Sequence, residues 1–144
     1  MNKQEIIDLS MNKMLNENYS CAQAIVFGML KIIERYQPIS TKKYIEYNQI
    51  ASAFGGGIGG LRQTCGFIAG SGVAYSLIIE DNDLLRSKIA EVSALVEKMG
   101  GSWQCEKIIA NYPDQSKPAR KQECVKMLAV LLDSIDASIK DVFN

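Results

Sequence analysis

The stretch from Pro118 to Ala137, PARKQECVKMLAVLLDSIDA, decides the fold class of this 144-residue chain. Its apolar residues recur every three or four positions and therefore lie on one face of an α-helix. They are Cys124, Met127, Leu128, Leu131, Leu132 and Ile135. Similar spacing recurs along most of the sequence, and the alternation typical of a half-buried strand is nowhere sustained. The sequence therefore predicts an all-α protein.

Capping residues and breaks at proline and glycine divide the rest of the chain into six further predicted helices. They cover about residues 3–15, 21–36, 41–54, 65–79, 82–99 and 103–110. A chain of 144 residues is close to the usual size of one domain and buries enough surface for a stable core. We therefore expect residues 1–144 to form a single-domain bundle of six to seven helices with a glycine-rich loop between two of them.

The chain contains four cysteines, Cys21, Cys65, Cys105 and Cys124, and no histidine. The lack of imidazole excludes a Ser/His or Cys/His catalytic pair and a histidine metal ligand. Sulfur is therefore the best candidate for chemistry. Lys plus Arg and Asp plus Glu are equal at 16 each, so the net charge does not favour nucleic acid or an anionic membrane as a partner.

Two features lead us to expect a cytoplasmic protein that does not cross a membrane. The first residues, Met1 to Glu5, lack the apolar stretch of a signal peptide. The longest uncharged run, from Gln63 to Ile79, is too short and too polar to span a bilayer comfortably. In a reducing cytosol, stable structural disulfides are not expected.

The cysteines are too far apart in sequence to form a Cys-x-x-Cys, ferredoxin-like or zinc-ribbon motif. Cys21, Cys65 and Cys105 each follow a good N-cap residue, so we expect three sulfurs in the first turns of helices. There the helix dipole lowers the pKa of a thiol. Cys124 lies on the apolar stripe of the last helix and has the strongest case for a plain core residue.

The run GGGIGG at residues 55–60 predicts a loop or a helix break. Its first, third and last glycines fit the letters of the GxGxxG fingerprint, but the preceding segment looks helical, which disfavours nucleotide binding. We expect the run either to present N–H groups that stabilise a thiolate or an anionic cluster near Cys65, or to let helices cross closely. Gly55, Gly56 and Gly57 are the candidate cofactor-binding residues.

The order of three segments and two later cysteines is similar to the order found in one known family. They are SCAQA at 20–24, FGGGIG at 54–59, TCGFIAG at 64–70, then Cys105 and Cys124. In this order they resemble the CGCAxxGCC-type (C_GCAxxG_C_C) redox-active protein family, over about residues 20–125. The resemblance implies a small bacterial or archaeal helical protein whose redox activity is assigned from its cysteines. It supplies no substrate.

Three hypotheses for the function remain open. In the first, the four cysteines carry out thiol–disulfide exchange or electron transfer with an unknown redox partner and need no cofactor, as in a thiol oxidoreductase. Cys65 is then the attacking thiolate and Cys21 its resolving partner, while Cys105 and Cys124 form or relay a second disulfide. In the second, the same four thiolates bind zinc or an iron–sulfur cluster. In the third, the chain is a helical interaction module with structural cysteines.

Three further features complete the sequence-based expectations. A flat helical face formed by Gly66, Gly70 and Ala74 is suited to close approach by another helix or a ligand; packing of this face against a symmetry mate would give a homo-oligomer. A basic cluster at the start of the last helix is interpreted as a solvated face. Its members are Lys117, Arg120, Lys121 and Lys126. The lone tryptophan, Trp103, is expected in the core.

Overall fold

The computed structural model describes residues 1–144 and contains seven α-helices and no strand. The helices are α1 (Lys3–Asn16), α2 (Cys21–Glu34), α3 (Thr41–Ala51), α4 (Gly66–Tyr75), α5 (Asn82–Gly100), α6 (Cys105–Ala110) and α7 (Lys117–Phe143). A short 3-10 turn, Ser52–Phe54, follows α3. No helix combines the length and the apolar character needed to cross a membrane. The prediction of an all-α bundle is confirmed.

One hydrophobic core of 28 buried residues runs through the bundle, with α2 at its centre. Nine of the 14 residues of α2 are buried, and α1, α3, α4 and α7 all pack against it. Each fully buried leucine or isoleucine contributes about 1.5–3 kcal/mol to this core. The helices approach closely at Gly28, where a Cβ atom would lie 2.7 Å from a methyl carbon of Leu132 and from Oγ of Ser10. A side chain at Gly28 would therefore push α1 and α7 away from α2.

Polar side chains in the sequence set most of the helix starts. Asn2 and Ser20 each form a capping box at the start of α1 and α2. Ser40, Asp81 and Ser116 accept backbone N–H groups at the starts of α3, α5 and α7. These caps satisfy N–H groups that have no partner inside a helix. The beginnings of these helices were therefore predictable from local sequence.

Several predicted helix ends were wrong because tertiary contacts decide them. α4 ends at Tyr75, because the chain then tightens into a turn that buries Ile79, which is 5% exposed. α7 continues to Phe143, whose ring stacks on that of Tyr36 with centroids 4.9 Å apart. The prediction for Trp103 was also wrong: it precedes α6 and is 43% exposed.

α2 and α4 cross closely because α4 carries small residues where they meet. A Cβ atom at Gly70 would lie 2.7 Å from Cγ2 of Ile25 and 2.9 Å from the carbonyl oxygen of Ala22. The face formed by Gly66, Gly70 and Ala74 is therefore covered by α2 of the same chain. The expectation that this face packs against a symmetry mate was wrong, and the homo-oligomer itself stays a prediction.

Candidate functional site

The glycine-rich segment 55–60 lies between the 3-10 turn and α4 and packs against the start of α2. A Cβ atom at Gly55 would lie 2.6 Å from Cβ of Ser20, the N-cap residue of α2. Gly57 has a φ of +77°, and a Cβ atom there would lie 2.6 Å from the backbone nitrogen of Gln63. Both positions therefore require glycine, Gly55 for space and Gly57 for space and conformation.

Cys21 is held at the first residue of α2 by a capping box. The Gln23 N–H donates to Oγ of Ser20 at 3.2 Å, and the Ser20 N–H donates back to the Gln23 side chain at 3.0 Å. Backbone hydrogen bonds from Gly56 and Ala22 favour the thiolate form of Cys21. Gly56 is the member of the glycine run that acts here, on Cys21; a supply of N–H groups by the run beside Cys65 stays a prediction.

A short antiparallel backbone pairing brings the segments that contain Cys65 and Cys105 side by side. The Cys65 N–H donates to the carbonyl of Trp103 at 2.9 Å, and the Cys105 N–H donates to the carbonyl of Gln63 at 2.6 Å. Cys105 is the first residue of α6. Cys65 is itself the N-cap residue of α4 and makes no side-chain cap bond, so its predicted place inside the first turn was wrong.

Cys21, Cys105 and Cys124 line one cleft of about 210 Å³. They reach it from three different helices, α2, α6 and α7. The other lining residues are Met14, Ser20, Gly56, Arg62, Ile109, Lys117, Arg120 and Lys121. Cys21 and Cys124 are half-buried, so Cys124 is not the plain core residue that its helical stripe suggested. The fold therefore brings together three of the four predicted site residues.

Cys65 is the fourth cysteine, and it does not line the cleft. Its side chain is 6% exposed. It nevertheless lies close to the others: a Cβ atom on the adjacent Gly66 would contact Sγ of Cys21, and the charges of Cys21 and Cys124 act on its pKa. Cys65 is thus buried outside the cleft lining, near enough to Cys21 and Cys124 for their charges to act on its thiol.

Burial changes the acidity of three thiols in the direction opposite to the one expected. It raises the pKa of Cys21 above its ordinary value, that of Cys65 to about 12 and that of Cys124 to about 11. Desolvation of the thiolate is the largest cause in each case and outweighs the backbone hydrogen bonds at Cys21 and Cys65. The prediction that helix N-termini lower the pKa of Cys21 and Cys65 was wrong.

Two residues that are not among the sequence-predicted site residues contact sulfurs of the cleft. Arg62 Nη1 donates to Sγ of Cys105 at 3.8 Å, and Tyr112 Oη lies 3.2 Å from Sγ of Cys124. The Tyr112 hydroxyl lowers the pKa of Cys124 and so opposes the effect of burial. A nearby guanidinium favours the thiolate form of a cysteine. For Arg62 the only signal in the sequence was its place two residues after the glycine run.

Four cations lie around the cleft, and none of them forms an ion pair. They are Arg62, Lys117, Arg120 and Lys121; the ion pairs of the chain involve other residues. The basic cluster within 117–126 is therefore not simply a solvated face, because three of its members line the cleft. Lys126, the fourth, is exposed and pairs with Glu123.

A larger cavity, of about 420 Å³, lies between α2 and α3. Tyr44 Oη and Asn48 Oδ1, which belong to residues in its wall, are buried without hydrogen-bond partners. Burial and the charge of Glu34 raise the pKa of Tyr44 above its ordinary value. The cavity contains no cysteine, so the smaller cleft is the candidate site for sulfur chemistry.

Comparison with known proteins agrees with the sulfur-based site. Residues 19–137 match the family described as "Putative redox-active protein (C_GCAxxG_C_C)", which is more than half of the 144-residue chain. The chain belongs to this family. The resemblance predicted from the sequence is thereby confirmed. No curated protein and no solved structure matches the chain.

All four cysteines of this C_GCAxxG_C_C protein lie within the matched residues. The family description associates cysteines with redox activity and does not say which of them react. No group of three or more Cys, Asp or Glu side chains is arranged to hold a metal ion. Of the three candidate cofactor-binding glycines, Gly56 lines the cleft and Gly55 and Gly57 do not; a cofactor-binding role for them stays a prediction.

Proposed function

We propose that this protein carries out reversible thiol–disulfide exchange in the cleft lined by Cys21, Cys105 and Cys124. The observation that carries the proposal is that three free cysteines from three helices share one small cleft with an arginine. Membership of a family described as redox-active supports it. A cytoplasmic location is part of the proposal, since free thiols persist in a reducing compartment.

Cys105 is the proposed attacking residue. Its sulfur lies 3.8 Å from the Arg62 guanidinium, whose positive charge stabilises negative charge on sulfur during the exchange. Cys65 is not the attacking residue in this proposal, because it does not line the cleft that the substrate enters. In this proposal Cys105 therefore replaces Cys65, which the sequence suggested, as the attacking thiolate. Cys21 and Cys124 are the candidates for the resolving residue.

The reaction follows the usual two displacements. Cys105, after losing its proton to solvent, attacks one sulfur of a substrate disulfide; a mixed disulfide forms and one substrate thiolate leaves. Cys21 or Cys124, likewise deprotonated, attacks Sγ of Cys105 and releases the second substrate thiolate. The two thiolates take up two protons, so two protein thiols are oxidised while one substrate disulfide is reduced to two thiols.

Binding of zinc or an iron–sulfur cluster by the same cysteines is the alternative to be tested beside this proposal. It requires the four thiolates to converge on one point. The present arrangement contains no such set of ligands, so the side chains would have to move for a metal to bind. Disulfide exchange needs only two neighbouring sulfurs at a time and is therefore better supported.

The test is a redox titration with thiol counting. Protein purified without oxygen is equilibrated in graded ratios of reduced to oxidised dithiothreitol, and its free thiols are trapped with N-ethylmaleimide and counted by mass spectrometry. We expect the four thiols to fall to two and to return on reduction. Peptide mapping is expected to find a disulfide that includes Cys105, and the Cys105→Ser variant is expected to lose it.

Three other results would contradict the proposal. Four thiols that react only after unfolding would indicate an interaction module with structural cysteines. Stoichiometric iron or zinc in the anaerobic protein, with protected thiols, would indicate the metal-binding function. A reversible disulfide that excludes Cys105 would overturn the assignment of the nucleophile. Circular dichroism of Cys105→Ser controls for loss of the fold.

A further inference from the structure

The charge around the cysteine cleft differs strongly from that of the chain as a whole. The chain has a formal net charge of zero, yet four cations line the cleft and no Asp or Glu does. Of the acidic residues that adjoin the lining in sequence, Glu17 pairs with Lys13 at 3.0 Å and Glu123 with Lys126 at 3.2 Å, while Glu106 is exposed and does not line the cleft. The field inside the cleft is therefore positive.

The positions of the cations suit a ligand that reaches the sulfurs. Arg62 contacts Cys105 directly. Lys117, Arg120 and Lys121 lie within the first two turns of α7, the helix that carries Cys124. Lys121 Nζ also donates to the carbonyl of Met14 at 3.1 Å, which anchors its charge at the cleft wall. Anionic groups on a ligand can thus meet these side chains while its sulfurs face the cysteines.

We propose that the cleft selects small disulfides that carry carboxylates, rather than neutral or cationic disulfides. This substrate assignment rests on the proposed function. The cleft volume of about 210 Å³ is smaller than that of most drug-sized ligand sites, which favours a small molecule. A cleft lined by charges of one sign raises the local concentration of an oppositely charged substrate and its rate of encounter.

In the proposed reaction each carboxylate of the substrate contacts the cations of the cleft until the thiolate that carries it leaves. Cys105 attacks one sulfur of the dicarboxylate disulfide and one carboxylate-bearing thiolate leaves. A second cysteine of the cleft then attacks Sγ of Cys105 and the other carboxylate-bearing thiolate leaves. The substrate is the oxidant, and each turnover oxidises two protein thiols and yields two anionic thiols.

The test compares three symmetric disulfides of similar size: dithiodiglycolate, which is dianionic, 2-hydroxyethyl disulfide, which is neutral, and cystamine, which is dicationic. The rate at which each disulfide oxidises the reduced protein is divided by the rate at which the same disulfide reacts with 2-mercaptoethanol. This division removes differences in the intrinsic reactivity of the three disulfides. We expect the normalised rate for dithiodiglycolate to exceed that for cystamine by about tenfold or more at low salt. The ratio is expected to fall as salt screens the cleft.

A matched pair of variants tests where the preference originates. Lys117→Gln/Arg120→Gln removes two positive charges at the cleft and is expected to reduce the anion preference by several-fold. Lys98→Gln/Lys140→Gln removes the same charge from two exposed sites away from the cleft, and is expected to leave the preference unchanged. The salt dependence of the first variant is expected to be weaker than that of the second.

The possible outcomes separate this inference from the proposed function. Reaction with all three disulfides at equal normalised rates, or faster reaction with cystamine, overturns the substrate class and leaves disulfide exchange intact. An equal loss of preference in both double variants also overturns it, because the effect would then come from overall charge. If none of the disulfides oxidises the protein, the proposed function and the substrate assignment both fail.

Discussion

The guanidinium of Arg62 lies 3.8 Å from the sulfur of Cys105, although the two residues come from segments joined only by an antiparallel backbone pairing. The Cys105 N–H donates to the carbonyl of Gln63 and the Glu106 N–H to that of Arg62. These bonds hold the loop after the glycine run against the start of α6. The backbone pairing therefore places Arg62 and Cys105 side by side, with the Cys105 sulfur within reach of the Arg62 guanidinium.

Replacing Arg62 is expected to reduce the reactivity of Cys105. Loss of one hydrogen bond to a charged group costs about 1.5 kcal/mol, or roughly tenfold in a rate that depends on that bond. We expect Arg62→Gln to slow alkylation of Cys105 by iodoacetamide at pH 7, and Arg62→Lys to retain part of the rate. The rate is read for each cysteine by peptide mass spectrometry.

Arg86→Gln is the control for this measurement, because Arg86 is exposed and forms no ion pair. Its rate of alkylation at Cys105 is expected to equal that of the wild type. Equal rates in Arg62→Gln and the wild type would show that the guanidinium does not activate Cys105.

The Tyr112→Phe variant is expected to make Cys124 less acidic. The Tyr112 hydroxyl lies 3.2 Å from the Cys124 sulfur and lowers its pKa, which burial otherwise raises to about 11. Without the hydroxyl the pKa rises further, so the thiolate fraction at a given pH falls by roughly tenfold. The pH dependence of Cys124 alkylation between pH 8 and 11 measures the shift. A profile that coincides with that of the wild type would contradict the contact.

The Gly66→Ala variant is expected to destabilise the protein, because the new Cβ atom contacts Sγ of Cys21. Overpacking of this kind costs about 1–3 kcal/mol. Gly72→Ala in the same helix is the control: its Cβ meets only the side chain of Ile89, at 3.1 Å, and alanine is the better helix former by about 1 kcal/mol. Urea unfolding is expected to give a lower midpoint for Gly66→Ala only. Similar midpoints for both variants would contradict the close approach of α4 to Cys21.

The buried thiols are expected to make stability fall at high pH. Burial raises the pKa of Cys65 from 9.0 to about 12, so the unfolded chain releases this proton before the folded protein does. The contribution of Cys65 is therefore fully present below pH 9 and is lost as the pH rises toward 12. Each such group changes the free energy of unfolding by up to about 1.4 kcal/mol per pH unit.

The Cys65→Ala variant tests this dependence. Between pH 9 and 12 its free energy of unfolding is expected to fall less steeply than that of the wild type, by up to about 1.4 kcal/mol per pH unit. Between pH 6 and 8 the free energy of unfolding is expected to change with pH in the same way in both proteins. This comparison separates the pH-dependent effect from the pH-independent loss of stability that the substitution causes. Parallel curves over the whole range would show that the Cys65 thiol is not shifted in the folded protein.

Much of the fold was predictable because its signals are local. Apolar spacing identifies the helices, and Ser20, Ser40 and Asp81 mark helix starts through hydrogen bonds to residues two or three positions away. Helix ends were less predictable. α7 runs on to Phe143 because that end packs against the ring of Tyr36, far away in sequence.

By itself, the sequence determined that the protein is helical, that its four cysteines are the candidates for chemistry and that it belongs to a family described as redox-active, because spacing and motif order can be read along the chain. Only the tertiary structure decided which sulfurs share a cleft, that burial raises the pKa of Cys21, Cys65 and Cys124, and that Arg62 and Tyr112 contact Cys105 and Cys124. Desolvation and side-chain contacts depend on what packs around an atom, and the helices that surround these sulfurs come from distant parts of the chain.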